Sequence, residues 1–133
     1  MKATRIILFF TLVMLSFGGS IDAHHSFGGT YQVDKTITLK GTIVQITMRA
    51  PHSFFYVNVR GSDGKPQRWS VEGASASQFA SQGVDANAFK VGDPVEVTGN
   101  PSRTPNSPRA RLIKIVRTTD GKSWGTRAAE TVD

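Results

Sequence analysis

The sequence carries only three imidazoles, His24, His25 and His52, and the first two fall where a secretory leader ends. Lys2 and Arg5 form a positive n-region, and Ile6–Phe17 form a short apolar stretch. Gly18-Gly19-Ser20 then leads to Ile21-Asp22-Ala23, a small-residue cleavage site. Cleavage after Ala23 makes His24 the mature N-terminus. A free α-amine, two adjacent imidazoles and a third imidazole elsewhere form a donor set that late transition metals favour, with Cu(II) heading the divalent order. There is no cysteine, so every metal ligand must be nitrogen or oxygen. Both the amine and the imidazoles must shed protons to bind, so affinity should rise with pH.

The expected site is His24, His25 and His52, with Glu72 as an additional carboxylate and Tyr56 nearby if its strand turns that face outward. The bland reading leaves His24 and His25 at a frayed start and packs His52 beside Pro51. The cut position matters to this choice. Cleavage after Asp22 gives Ala23-His24-His25, whose third-position histidine also binds Cu(II) with the amine and backbone nitrogens. Cleavage after Ser20 loses the advantage in a longer tail.

Composition bounds the rest. Removing residues 1–23 from the 133 leaves one small domain, and the loss of Lys2, Arg5 and Asp22 takes the formal charge from +6 to +5. The apolar stretch is shorter than the roughly 20 residues of a membrane span and no second one follows, so the mature chain is expected to have no transmembrane segment. Its basic balance suits an anion or an envelope polyanion, or simply a solvated surface. The cations are scattered and the chain is exported, so nucleic acid is not an expected partner.

The elements that must position these residues read as strands. Thr36–Thr47 alternates Ile37, Leu39, Gly41 and Ile43 before Val44 and Ile46 switch face, which predicts a bent or bulged strand with Gly41 as the bend. Ser53–Arg60 places Phe55, Val57 and Val59 on one face. After the Gly61–Gly64 turn, Gln67–Glu72 turns Trp69 and Val71 inward. Ser75–Gln82 reads as a short Ser-capped helix ended by Gly83. Pro94–Gly99 and Arg109–Thr118 complete five strands, separated by the proline-rich loop Asn100–Pro108.

This order predicts an all-β chain with one short helix, a five-stranded OB-fold-like Greek-key barrel, with a small β-sandwich as the alternative. The expected organisation is a signal peptide (1–23), an N-terminal segment (24–35), the barrel (36–118) and a flexible C-terminal tail (119–133). OB-folds bind on the face of strands two and three, bordered by the first-to-second and fourth-to-fifth strand loops. That places His52 at the mouth, with Tyr56, Arg103, Arg109 and Arg111 on the ligand face. If His24–Tyr31 folds back antiparallel to the first strand, at roughly 3.3 Å per residue it reaches the His52 end, anchored by Phe27 and Tyr31.

One further set of residues bears on identity. Ala23-His24-His25-Ser26-Phe27, then Tyr31, Thr38-Leu39-Lys40-Gly41-Thr42-Ile43, Pro51-His52, Trp69-Ser70-Val71-Glu72 and Val91-Gly92-Asp93-Pro94-Val95 follow in order. Together they resemble a family of small exported bacterial proteins of unknown function with an OB-like barrel, over residues 23–117. Members usually carry Asn before the Pro-His, where this chain has Ala50. They often show Ser-Pro-Asn at the helix start, where this chain has Ala74-Ser75-Ala76-Ser77. The resemblance implies fold and export and leaves the chemistry open.

Three function classes remain. The expected one is an exported, periplasmic or secreted, OB-fold module binding Cu(II) or another divalent metal. The alternative is a metal-independent adaptor for another envelope protein or a polyanion. A copper-dependent oxidative enzyme is the third. No nucleophile–His–acid set or paired carboxylates argue for catalysis.

Overall fold

The apolar alternation of each segment becomes one face of a strand, and those faces close on one another. The computed structural model describes residues 27–84 and 87–125. It contains β1 (Ile37–Thr47), β2 (Phe54–Arg60), β3 (Pro66–Glu72), β4 (Pro94–Pro101), β5 (Arg109–Arg117) and β6 (Ser123–Gly125), with helical turns α1 (Phe27–Thr30) and α2 (Ala76–Ser81). The sheet runs β3-β2-β1-β4-β5-β6, and β3 also pairs in parallel with β5. That last pairing closes five strands into a Greek-key barrel of OB-fold order, with β6 added outside the ring. Closure removes the sandwich alternative.

β1 serves both halves, pairing Ile37–Thr42 with β4 and Gly41–Thr47 with β2. The change of apolar phase is a bulge, because the register against β2 slips between Ile43 and Gln45. The bend thus falls at Val44 and not at Gly41. Gly41 has a different role: a Cβ there would collide with the Asn58 carbonyl on β2.

Inward residues Ile43, Phe55, Val57, Val71, Val97 and Ile115 are wholly buried. The capping box of α2, Ser75 with Gln78, starts the helix that carries Phe79 into the barrel end. Phe79 packs edge-on to Phe55, with ring centroids 5.8 Å apart. The expected loose tail is corrected at its beginning. Ser123–Gly125 pairs with β5 and buries Trp124 against Phe79, centroids 4.0 Å apart. Residues 126–133 of that tail lie outside the described residues. Among the described residues, no helix is long and apolar enough to cross a membrane.

The end of β5 is fixed by charge. Arg117 donates to Asp93 at 3.0 Å and to Asp120 at 2.7 Å. Its hydrogen bond holds Asp120 at about 2, below the usual 3.8. Asp93 is also lowered: burial opposes this, but the Lys90 backbone N–H and Arg117 prevail. A depressed carboxylate stabilises the fold fully above its unfolded value and loses that contribution as pH falls through the folded one. Urea midpoints of wild type should therefore drop between about pH 4 and pH 2. Arg117→Met should show a shallower fall, and identical acid limbs would remove this cluster from the account.

Candidate functional site

Ser53 sets the geometry of the site. Its backbone pairs with Ala74 and Gly73, N–H to Ala74 O at 2.9 Å and O from Gly73 N–H at 2.8 Å. Its buried hydroxyl ties back to Arg49. These bonds lay the β1–β2 loop beside the end of β3, and so bring His52 against Glu72. Because Val71 faces the core, Glu72 faces the opposite way, toward that loop.

Glu72 is a buried carboxylate shared by three donors. Its Oε2 accepts from the Tyr31 hydroxyl and its Oε1 accepts from His52 Nδ1. Arg109 stands 3.5 Å from Oε2 and 3.4 Å from the Tyr31 oxygen. Burial and then the hydrogen bond to Glu72 push the Tyr31 phenol well above its ordinary value, so it remains a proton donor. Tyr31 itself is fully buried.

The N-terminal segment is clamped by the arginines that sequence reading put on a ligand face. Arg103 Nε donates to the Gly28 carbonyl at 2.6 Å. The Arg111 guanidinium lies over the Phe27 ring at 4.2 Å. Arg109 faces Tyr31. Ala110 and Leu112 point into the core, so Arg109 and Arg111 alternate outward toward this segment. The segment docks on the end of β4 rather than antiparallel to β1: Tyr31 bridges Ser102, and Gln32 N–H donates to Pro101 O at 2.9 Å. Phe27 then stacks on the His52 imidazole, centroids 5.4 Å apart and planes at 25°.

A cleft of about 250 Å³ opens beside His52 and Glu72. Its walls are Phe27, Pro51, Leu112 and Trp124, and Gln78, Gln82 and Arg111 also line it. Leu112, Trp124, Gln78, Gln82 and Arg111 come from segments that the sequence reads as strand, tail or helix surface. Only Arg111 had been singled out.

The structure thus brings His52, Glu72, Arg109 and Arg111 together with Phe27 and Tyr31. Tyr56 is not part of this group: it lies on the outer face of β2, beside Phe54 and under Arg68 at 4.6 Å. Arg103 joins the group only as a clamp on the chain. Glu72, expected as an additional carboxylate ligand, has one oxygen engaged by Tyr31 and the other by His52. His24 and His25, with the signal peptide, lie outside the described residues. Among the described residues, no three His, Cys, Asp or Glu side chains gather closely enough to hold a metal ion.

Comparison with known proteins adds one match. The model of a family of unknown function (DUF6152) matches residues 12–110, a span that contains all three histidines, Tyr31 and Glu72. No curated protein matches the chain.

Proposed function

The chain belongs to this family of unknown function, DUF6152, and we propose that it is an exported protein whose barrel carries a divalent-metal site, with Cu(II) the preferred ion. The observation that supports this reading most is the His52 ring, held by Glu72 on one edge and stacked on Phe27. An ionised carboxylate can only accept, so Nδ1 must carry the proton and a neutral His52 keeps its lone pair on Nε2. A histidine oriented by a carboxylate on its other nitrogen is the usual arrangement of a metal-ligating imidazole.

The remaining ligands come from the mature N-terminus. His25 precedes Phe27 by two residues and His24 by three. Two residues of extended chain span at most about 7 Å, so His25 is near enough in sequence to supply a donor beside the ring on which Phe27 stacks. Phe27 touches His52, and the arginine clamps keep it there. The α-amine and imidazole of His24, with His25 or His52, then supply the nitrogen donors. Affinity rises as pH climbs through the range of a free α-amine, about 7.7–8.0.

Cu(II) titration of mature protein starting at His24, read by calorimetry and EPR, tests the reading. The expected result is one-to-one binding with a multi-nitrogen signal. His52→Ala and a chain with one extra residue before His24 should each weaken it by at least about tenfold. No binding, or binding that neither change affects, would overturn the site and leave a metal-independent adaptor as the better account.

A further inference from the structure

We infer that a second cleft, between β3 and the β4–β5 loop, is a binding site for a neutral saccharide. It shares no lining residue with the cleft beside His52 and does not depend on the metal. Incomplete closure of the barrel creates it. β3 pairs with β5 over Ser70–Glu72 alone, so Pro66–Trp69 has β2 on one edge and no strand on the other among the described residues. The loop from Ser102 to Pro108 faces that open edge across a cleft of about 470 Å³, within the roughly 300–1,000 Å³ usual for small-molecule sites.

Trp69 packs against the core but is half-buried, so part of its indole lines the cleft. Pro101, Pro105 and Pro108 add apolar wall. The loop is held in place without a ligand: Ser102 N–H donates to Arg109 O at 2.9 Å, Arg103 N–H to Thr30 O at 2.9 Å and Thr104 N–H to Ser102 Oγ at 3.1 Å. Its prolines and these bonds leave little backbone freedom to lose on binding.

The polar groups along the cleft are mostly neutral, and they include both donors and acceptors. Gln67 Oε1 accepts from the Trp69 indole at 3.1 Å, which leaves its NH2 group as a donor. Gln32 Nε2 donates to Ser102 O at 3.0 Å, which leaves its oxygen as an acceptor. Asn106, in the left-handed region at φ 57°, brings an amide with both. No acidic side chain lines the cleft, and its one charged side chain, Arg103, has its Nε on the Gly28 carbonyl. A cation would therefore find no carboxylate, and an anion one guanidinium already engaged. A pyranose offers a face of C–H groups to the indole and a rim of hydroxyls that each donate and accept, which matches this lining. A proline-rich peptide docks on several aromatic faces, and this cleft has one.

The test adds chitotriose, cellotriose and maltotriose separately to metal-free, 15N-labelled mature protein, read by 1H–15N NMR. At least one should saturably shift the Trp69 indole crosspeak and the Thr104 and Ser107 amides, while the Trp124 indole crosspeak stays in place. Gln67→Ala and Asn106→Ala change exposed side chains, and each should weaken that sugar by about threefold or more. A hexaproline peptide should leave the same crosspeaks unmoved. Absence of saturable shifts with all three sugars in folded protein overturns the site. Hexaproline shifts without sugar shifts replace the saccharide with a peptide, and sugar affinity unchanged in both variants removes it from this cleft.

Discussion

Glu72→Ala is expected to destabilise the protein by about 3–5 kcal/mol, because it strips a buried carboxylate from three donors at once. The Tyr31 hydroxyl and His52 Nδ1–H lose their acceptors, and Arg109 loses its anion. Tyr31 is 1% exposed, so water cannot replace the carboxylate there without a rearrangement of the N-terminal segment. Glu72→Gln separates the two roles of the side chain. The amide fills the space but offers one acceptor oxygen and one donor, so Tyr31 and His52 cannot both be satisfied as before. His52 resolves the conflict by moving its proton to Nε2 and accepting at Nδ1, which occupies the nitrogen that a metal needs. Glu72→Gln should therefore cost about 1–3 kcal/mol in urea unfolding and lower Cu(II) affinity by about 10–100-fold. Wild-type stability in both variants would remove Glu72 as the hub. Wild-type copper affinity in a destabilised Glu72→Gln would retain the hub and reject its orienting role.

The difference between what the sequence revealed and what it hid follows from distance along the chain. The strands were legible because alternation is local: Leu39 with Ile43, Phe55 with Val57 and Val95 with Val97 all recur at even spacing. The bulge was legible as the adjacent pair Ile43 and Val44, although its position was drawn to Gly41, the residue that elsewhere permits bends. The serine cap of the helix was legible too, and the structure adds Gln78 as the other half of a capping box with Ser75. The Glu72 hub had no such local signature. Tyr31 lies 41 residues from Glu72 and Arg109 lies 37 away, so only barrel closure makes them neighbours. Arg103, Arg109 and Arg111 were recognised as a group beside the binding end, but their charge alone could not say that they hold the protein's own N-terminal segment. β6 was missed because a single apolar residue between Ser123 and Gly125 has no period to detect.

That short strand carries the second large effect. Trp124→Ala should cost about 3–5 kcal/mol, the range for removing a buried Phe or Trp side chain, out of the 5–15 kcal/mol that stabilises a typical small domain. The indole is 6% exposed and lies 4.0 Å, centroid to centroid, from Phe79, which is itself wholly buried against Phe55. Its loss opens the end of the barrel that α2 plugs and enlarges the cleft beside His52. Trp124→Phe behaves differently. It gives up part of the ring volume, but it also removes an indole N–H that has no acceptor among the described residues. Leaving such a donor buried costs about 1–3 kcal/mol, comparable to the packing lost. The Phe variant should therefore unfold within about 1 kcal/mol of wild type, followed by circular dichroism because the fluorophore is changed. A chain ended after Lys122 should fall with Trp124→Ala, since both delete the same wedge. If the truncated chain and Trp124→Ala both unfold like wild type, β6 is an appendage and the barrel end is held by Phe79 alone.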